Sequence, residues 1–329
     1  MNLLVTGGAG FIGSNFVRLA LSKGDCVVVY DKLTYAGNPT EPGLFSRNLF
    51  DVQLHPNFSF FKGDICDKAT LSKSFRGIDA IVNFAAETHV DRSLENAEPF
   101  YKTNVEGVKT LLECINDVNP EKRLLHVSTD EVYGSLQEGC AKEESPFNPT
   151  SPYAKSKAEA DKIALSEGKN VVVTRSSNNF GLFQFPEKFI PLATINLLLG
   201  DKIPVYGTGL NVRDWIYVED NCEALYFVLQ HGTRGEAYNV GGGNEKTNIS
   251  IAKKLTELCG RDESSIKFIT DRPVHDFRYA LSGEKLSALG WQPKHDFESA
   301  LQKTVEWYKN NKDWWTPLRD KMFTSINKK

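Results

Sequence analysis

Asn2-Leu3-Leu4-Val5-Thr6-Gly7-Gly8-Ala9-Gly10-Phe11-Ile12-Gly13 decides how this chain is read. Residues 2–6 form an apolar run with the character of a buried parallel strand. After the glycines, Phe11, Ile12, Phe16, Val17, Leu19, Ala20 and Leu21 recur at roughly helical spacing. A glycine turn between strand and helix is the setting in which Gly-x-x-Gly-x-x-Gly spacing points to a bound dinucleotide. Gly7 lets the backbone turn sharply, Gly10 lets it approach a pyrophosphate, and Gly13 lets helix and strand pack closely. The free N–H groups and positive end of the helix then face phosphate. The competing reading is a tight turn that holds nothing. Asp31 ends the next apolar run, Cys26-Val27-Val28-Val29-Tyr30. A carboxylate there accepts from a ribose hydroxyl pair and repels a 2′-phosphate, which favours NAD over NADP; the adjacent Lys32 softens that preference.

The remaining composition narrows the class. A chain of 329 residues is long enough for a large core and two lobes. Its net charge of −3 argues against nucleic acid or an anionic membrane surface as the main partner. No apolar run approaches the ~20 residues of a membrane span. The first strand begins at the N-terminus, so the expectation is a cytoplasmic protein without a signal peptide. Six cysteines without a Cys-x-x-Cys pair suggest reduced thiols, and six histidines lack metal-like spacing, so no metal is expected.

Alternating apolar runs and helical patterns predict parallel α/β units up to about residue 165. Further strands are expected at 58–61, 79–84, 124–128 and 171–174, with helices over 105–118 and 153–167. Beyond Arg175 the strands shorten and loops gain charge, proline and glycine. Helices are expected over 190–199, 219–230, 249–259 and 297–310, and short strands at 203–206 and 237–240. The fold class is therefore a Rossmann-type, doubly wound parallel α/β sheet with a smaller C-terminal lobe. Residues 1–175 form the dinucleotide-binding domain. Residues 176–329 form a substrate lobe over the carboxyl ends of the sheet, able to return strands or helices to it. The tail from Asp313, with Trp314, Trp315 and Pro317, is expected to pack its aromatics on the body of the protein.

Two constellations carry chemistry. Tyr153 and Lys157 lie four apart and project from one helical face. A nearby ammonium, together with a positive nicotinamide ring, lowers a phenol's pKa from ~10 toward working pH, so the tyrosinate can take an alcohol proton. Alone, such a pair is more often surface decoration; its place after a dinucleotide turn reverses the odds. Thr129-Asp130-Glu131 ends the fifth strand. Thr129 can polarise a substrate oxygen, and two adjacent carboxylates can serve as acid and base if their environments differ. A solvated loop cap is the bland alternative.

Taken together, these stretches resemble the extended short-chain dehydrogenase/reductase family and, within it, the dTDP-glucose 4,6-dehydratases. The matching segments span nearly the whole chain: residues 7–14, 31–38, 85–93, 128–134, 151–157, 177–181, 185–192, 213–215, 238–242, 244–248 and 271–273. The resemblance implies an NAD-dependent lyase. Tyr153, helped by Lys157 and Thr129, deprotonates the glucose 4-hydroxyl while C4 gives hydride to NAD. Glu131 removes the C5 proton, Asp130 protonates the departing 6-hydroxyl, and hydride returns to C6. It further implies NAD contacts at Gly7, Gly10, Phe11, Ile12, Gly13, Asp31, Lys32, Leu33, Thr34, Asp64, Ile65, Phe84, Ala85, Ala86, Glu87, Thr88, Thr103 and Asn179, besides Tyr153 and Lys157. Sugar-nucleotide contacts are implied at Thr88, Thr129, Asn178, Lys188, Phe189, Ile190, Pro191, Leu192, Ala193, Pro204, Val205, Tyr206, Arg213, Asn248, Asp271, Arg272, Pro273, Val274 and His275. Lys188 and Arg213 suit a diphosphate. A homodimer is implied through the helices around 99–118 and 152–167.

The chain departs from the family at Val274 and Phe277, where Gly and Arg are common, and at Phe180-Gly181-Leu182, often Tyr-Gly-Pro. The first two lie near the nucleotide end, so UDP-glucose stays open beside dTDP-glucose. A UDP-sugar 4-epimerase or decarboxylase shares Tyr and Lys but has no use for the Asp-Glu pair. A non-catalytic dinucleotide sensor would need none of the five chemical residues.

Overall fold

The computed structural model describes residues 1–40, 43–271 and 275–326. Among the described residues twelve strands run in chain order: β1 Asn2–Thr6, β2 Cys26–Asp31, β3 Phe58–Lys62, β4 Ala80–Asn83, β5 Arg123–Thr129, β6 Val171–Ser176, β7 Asn178–Phe180, β8 Ile203–Tyr206, β9 Val212–Tyr217, β10 Ala237–Val240, β11 Glu245–Thr247 and β12 Ile266–Ile269. Seven of them form one parallel sheet in the order β3-β2-β1-β4-β5-β6-β10. The direction of winding reverses between β1 and β4. In an open α/β sheet, the crevice beyond the carboxyl ends at such a reversal is where ligands lie.

Alternation along the central strands builds two apolar layers. Leu3 and Val5 face one side of β1, where they join Phe16 and Val17 of the helix Phe11–Ser22 and Cys222 and Leu225 of the helix Val218–His231. Leu4 faces the other side, joining Val108, Leu111 and Ile115 of the helix Gly107–Val118 and Ala160 and Ala164 of the helix Pro152–Glu167. Both layers draw on nearly continuous apolar strands such as Val171-Val172-Val173, as a sheet covered on two faces requires.

Beyond residue 175 the chain does return to the main sheet: Ala237–Val240 pairs in parallel with Val173–Ser176 and becomes its edge. The remaining strands form two small sheets, β11-β9-β7 and β12-β8. The sequence reading missed β9, because Val212–Tyr217 carries Arg213 and Asp214, both buried through partners rather than through apolarity. The helix over 105–118 is also different at its start. Lys102–Glu106 is a π-helical turn, and the α-helix begins at Gly107, where a Cβ would stand 2.6 Å from Ile65 Cγ2. Such turns favour functional positions. The tail forms a helix, Lys312–Ile326, and buries Trp315 against Tyr308 and Ile195, in keeping with the expected packing of its aromatics. Among the described residues no helix is long and apolar enough to cross a membrane, and no cluster of three or more His, Cys, Asp or Glu is placed to hold a metal ion.

Candidate active site

The glycine turn lies at the carboxyl end of β1. Gly7 has φ +69°, and a Cβ there would meet Ala85 N at 2.5 Å. A Cβ on Gly13 would stand 2.4 Å from the Gly7 carbonyl oxygen. Both glycines are thus demanded by the protein's own backbone. At Gly10 a Cβ meets only Gly7 O, at 3.3 Å, so its smallness leaves room on the cleft side instead. No side chain caps the helix that starts at Phe11, which leaves first-turn N–H groups for an anion. Gly7→Ala combines a backbone clash with a left-handed φ. It is expected to cost about 2–4 kcal/mol and depress the thermal midpoint by several degrees, measurable by calorimetry.

Asp31 closes β2 with both oxygens engaged. Oδ2 accepts from Ala9 N at 2.9 Å and Oδ1 from Leu33 N at 2.7 Å. Burial pushes this carboxyl up, and the two backbone N–H groups oppose it. Lys32 bonds Asp64 Oδ2 at 2.6 Å. A lysine committed to a carboxylate gives a 2′-phosphate little to bind, so the reservation that Lys32 raised against NAD weakens.

Two clefts open beside this turn. The first is lined by Gly7, Gly10, Phe11, Ile12, Gly13, Asp31, Lys32, Thr34, Asp64, Ile65, Phe84, Ala85, Ala86, Glu87, Thr88, Thr103, Asn179, Tyr153 and Lys157, together with Thr129, Asp130 and Glu131. Of the expected cofactor contacts only Leu33 is absent from its walls. Leu33 has φ +59° and turns its buried side chain into the core. The second cleft takes in Thr88, Asn178, Lys188, Phe189, Leu192, Pro204, Tyr206, Arg213, Asn248 and His275. Thr88, Glu131, Asn178, Glu187 and Lys188 border both, so the two spaces meet at the acid–base loop.

Several expected sugar-nucleotide contacts do not line that second space. Ile190, Pro191 and Ala193 are buried on the inner side of the helix Phe189–Leu199, whereas Phe189 and Leu192 face outward to the cleft. Val205 is buried between Pro204 and Tyr206, because a strand sends alternate residues to opposite faces. Asp271 is not part of the wall; its Oδ1 accepts from His275 Nδ1 at 2.6 Å. Arg272, Pro273 and Val274 lie outside the described residues. Sequence reasoning also missed wall residues. Glu187, for example, accepts from Tyr35 Oη at 3.1 Å and from Arg92 at 3.1 Å. It sits inside a quoted motif, yet no spacing signals it.

The chemical residues converge. Ser151 Oγ caps the helix Pro152–Glu167, accepting from Ala154 N at 3.0 Å, and Pro152 fits its first turn. That fixes Tyr153 and Lys157 on the inner face; both are buried, and Lys157 Nζ donates to Val127 O at 2.8 Å. Burial lowers the Lys157 ammonium to about 8, partly offset by Asp161. Tyr153 does not follow the sequence expectation of a lowered pKa. Burial first, then the Glu131 carboxylate, push it above the ordinary phenol value, and the Thr129 hydroxyl pulls the other way. The protein alone therefore keeps the phenol protonated.

Thr129 also organises the carboxylates. Its Oγ1 accepts from Glu131 N at 3.3 Å and donates to Asp130 Oδ1 at 3.1 Å. Asp130 is 4 % exposed, and its Oδ2 is buried without a hydrogen-bond partner. Burial and the neighbouring Glu131 charge push its carboxyl well above the usual range. That direction favours the protonated carboxyl, the state a general acid needs. This is no solvated loop cap.

The chain matches the family described as GDP-mannose 4,6 dehydratase over residues 4–304. It is 47% identical over 330 residues to a dTDP-glucose 4,6-dehydratase of Streptomyces niveus, covering 97% of this chain and 96% of that protein. A crystal structure of dTDP-glucose 4,6-dehydratase from Streptomyces venezuelae, with NAD bound, shares 47% identity and a TM-score of 0.91, covering 97% of this chain and all of that one, 100%. A UDP-glucose 4-epimerase from Thermus thermophilus, in complex with NAD, shares 31% identity with a TM-score of 0.84, covering 94% of this chain and 100% of that one. The glycine turn, the Tyr153–Lys157 helix and the Asp130-Glu131 loop thus stand in a chain that belongs to the GDP-mannose 4,6 dehydratase family, with its strongest likeness among those three to the dTDP-glucose dehydratases.

Proposed function

We propose that this protein dehydrates a nucleoside-diphosphate glucose, dTDP-glucose foremost, to the 4-keto-6-deoxy sugar, with NAD as a recycled cofactor. The observation that carries the reading is the buried Asp130, its Oδ2 without a hydrogen-bond partner, beside Glu131 and lining the same cleft as Tyr153 and Lys157. An epimerase needs the tyrosine but not this pair. Gly10, Asp31, Thr34 and Asp64 would hold NAD, which would supply the acceptor for the C4 hydride and the donor that gives it back at C6. Tyr153, in the phenolate form that Lys157 and the positive nicotinamide ring would together favour, takes the proton of the 4-hydroxyl, with Thr129 polarising that oxygen. Once C4 is a ketone, C5–H is acidified. Glu131 takes that proton while Asp130 gives its own to the 6-hydroxyl, and water leaves across C5–C6. Glu131 then gives its proton back to C5, and the 4-keto-6-deoxy sugar nucleotide departs.

Residues 1–175 hold the cofactor in this reading, and residues 176–329 supply most of the nucleotide-sugar contacts. Lys188 and Arg213 would bind the diphosphate, and His275 with Tyr206 would face the base. A cytoplasmic homodimer completes the proposal, with the helices around 99–118 and 152–167 as the contact. A monomeric mass by light scattering at working concentration would remove the dimer.

The test is incubation with dTDP-glucose and UDP-glucose, each deuterated at C4. Deuterium at C6 of a 4-keto-6-deoxy product is the expected result, and the faster substrate settles the base. Deuterium left at C4 with the hydroxyl inverted would replace the proposal with an epimerase.

A further inference from the structure

The C-terminal helix, which carries none of the chemical residues, reaches the cofactor turn through a single buried asparagine. Trp314 Nε1 donates to Asn48 Oδ1 at 3.0 Å, and Asn48 Nδ2 donates to Ala9 O at 2.8 Å. Ala9 lies in the glycine turn, and its own N–H donates to Asp31 Oδ2. Asn48 is 1 % exposed, so its amide N–H would go unsatisfied without the Ala9 carbonyl. The same residue gathers the other walls. Asn38 Nδ2 approaches its Oδ1 at 3.4 Å, and Arg18 donates to its backbone carbonyl at 2.5 Å.

A second line of contact runs from Trp314 of this helix and from Trp307 and Tyr308 of the helix before it, Phe297–Asn310. Phe183 has φ +65°, a strained setting for a residue with a Cβ. Its ring lies 4.8 Å from Trp307 and 5.8 Å from Trp314, with the Arg18 guanidinium 3.9 Å from its centre. The next two residues, Gln184 and Phe185, line the first cleft. Tyr308, whose backbone carbonyl accepts from Trp315 Nε1, donates its hydroxyl to the Gln184 carbonyl. Both walls of the cofactor cleft are therefore held from behind by residues 307–315.

We propose that the C-terminal helix is a brace for the bound dinucleotide, with Trp314 and Asn48 as positioning residues for the turn Gly7–Gly13 and for Asp31. This rests on the first cleft being the NAD site. Trp314→Phe keeps an aromatic ring against Phe183 and Trp307 and removes the indole N–H together with the five-membered ring that carries it. Asn48→Asp keeps the shape and turns a carboxylate oxygen on the Ala9 carbonyl.

The experiment loads the full-length enzyme with radiolabelled NAD, then follows release under a chase of unlabelled NAD. Affinity for dTDP and the thermal midpoint are measured in parallel. Release is expected about 2- to 10-fold faster in Trp314→Phe, and tenfold or more in Asn48→Asp, with dTDP affinity unchanged. A brace that is only structural would lower the midpoint and leave NAD release at the wild-type rate, and that result overturns the proposal. So would parallel weakening of NAD and dTDP, which would mean general loosening. A wild-type enzyme that captures no label would instead overturn the assignment of the cleft.

Discussion

Glu131→Gln is expected to lower dehydration by about 10²- to 10⁴-fold while dTDP-glucose binds within about threefold of wild type. The amide keeps the shape of the side chain and loses the base that removes the C5 proton. The electrostatics make the outcome sharper than a general loss of activity. The Glu131 charge is one reason both Tyr153 and Asp130 stand above their ordinary values. Removing it lets Tyr153 ionise more readily, so cleavage of the C4–H bond should persist at neutral pH or quicken. Exchange of the C5 hydrogen with solvent deuterium should vanish. The two readouts move apart only if Glu131 acts at C5. Near-normal exchange in the variant would mean that another group is the base.

How much of this was legible beforehand depends on the kind of signal. The glycine turn could be read because steric demand acts on the residue itself: nothing but glycine fits at Gly7 and Gly13. The central strands of the main sheet could be read because burial on two faces forces continuous apolar runs. Tyr153 and Lys157 could be paired because helical spacing fixes their common face. What failed was whatever partners decide. Arg213 and Asp214 are polar in sequence and buried in the fold. Asp214 accepts from Asn244 N at 2.7 Å and Gly242 N at 3.0 Å, satisfied by a loop about thirty residues away. The Phe189–Ala193 run was assigned whole to the substrate, although a helix can show only part of its circumference to one cleft. The tyrosine's pKa was misjudged because sequence shows the lysine one turn away but not the desolvation, nor the carboxylates that the fifth strand delivers opposite. The tail helix acquired meaning only when folding brought Trp314 to Asn48, a separation of 266 residues.

Lys157→Met is expected to inactivate the enzyme and yet stabilise it. Lys157 is 3 % exposed and is held at about 8, whereas an unfolded chain restores a value near ~10.4. The fold thus disfavours the charged form. Below pH 8 both states bind the proton and the folded state carries the full penalty, about 3 kcal/mol by the size of the shift. As pH rises from about 8 to about 10.5, the unfolded state binds more protons than the folded one, and stability increases. Methionine has similar length and no charge, so it removes the penalty, against roughly 1 kcal/mol for the lost bond to Val127 O. The net gain at neutral pH is about 2 kcal/mol, read from urea unfolding. The groups that face this ammonium explain why it is retained. Asp161 lies one turn along its own helix, held by Arg175 from β6 at 2.9 Å and approached by His126 from β5 at 3.6 Å. Burial keeps that histidine neutral. Asp161 therefore favours the charged lysine, and Lys157 in turn provides positive charge next to a phenol that burial and Glu131 otherwise keep protonated. Without it kcat should fall by about 10²- to 10⁴-fold, and the pH at which Tyr153 becomes active should move to more alkaline values. Wild-type stability should climb between pH 8 and 10.5 and that of Lys157→Met should not. A variant less stable than wild type at pH 7, or one whose stability climbs equally, would show that the ammonium is not a strained charge kept for the chemistry.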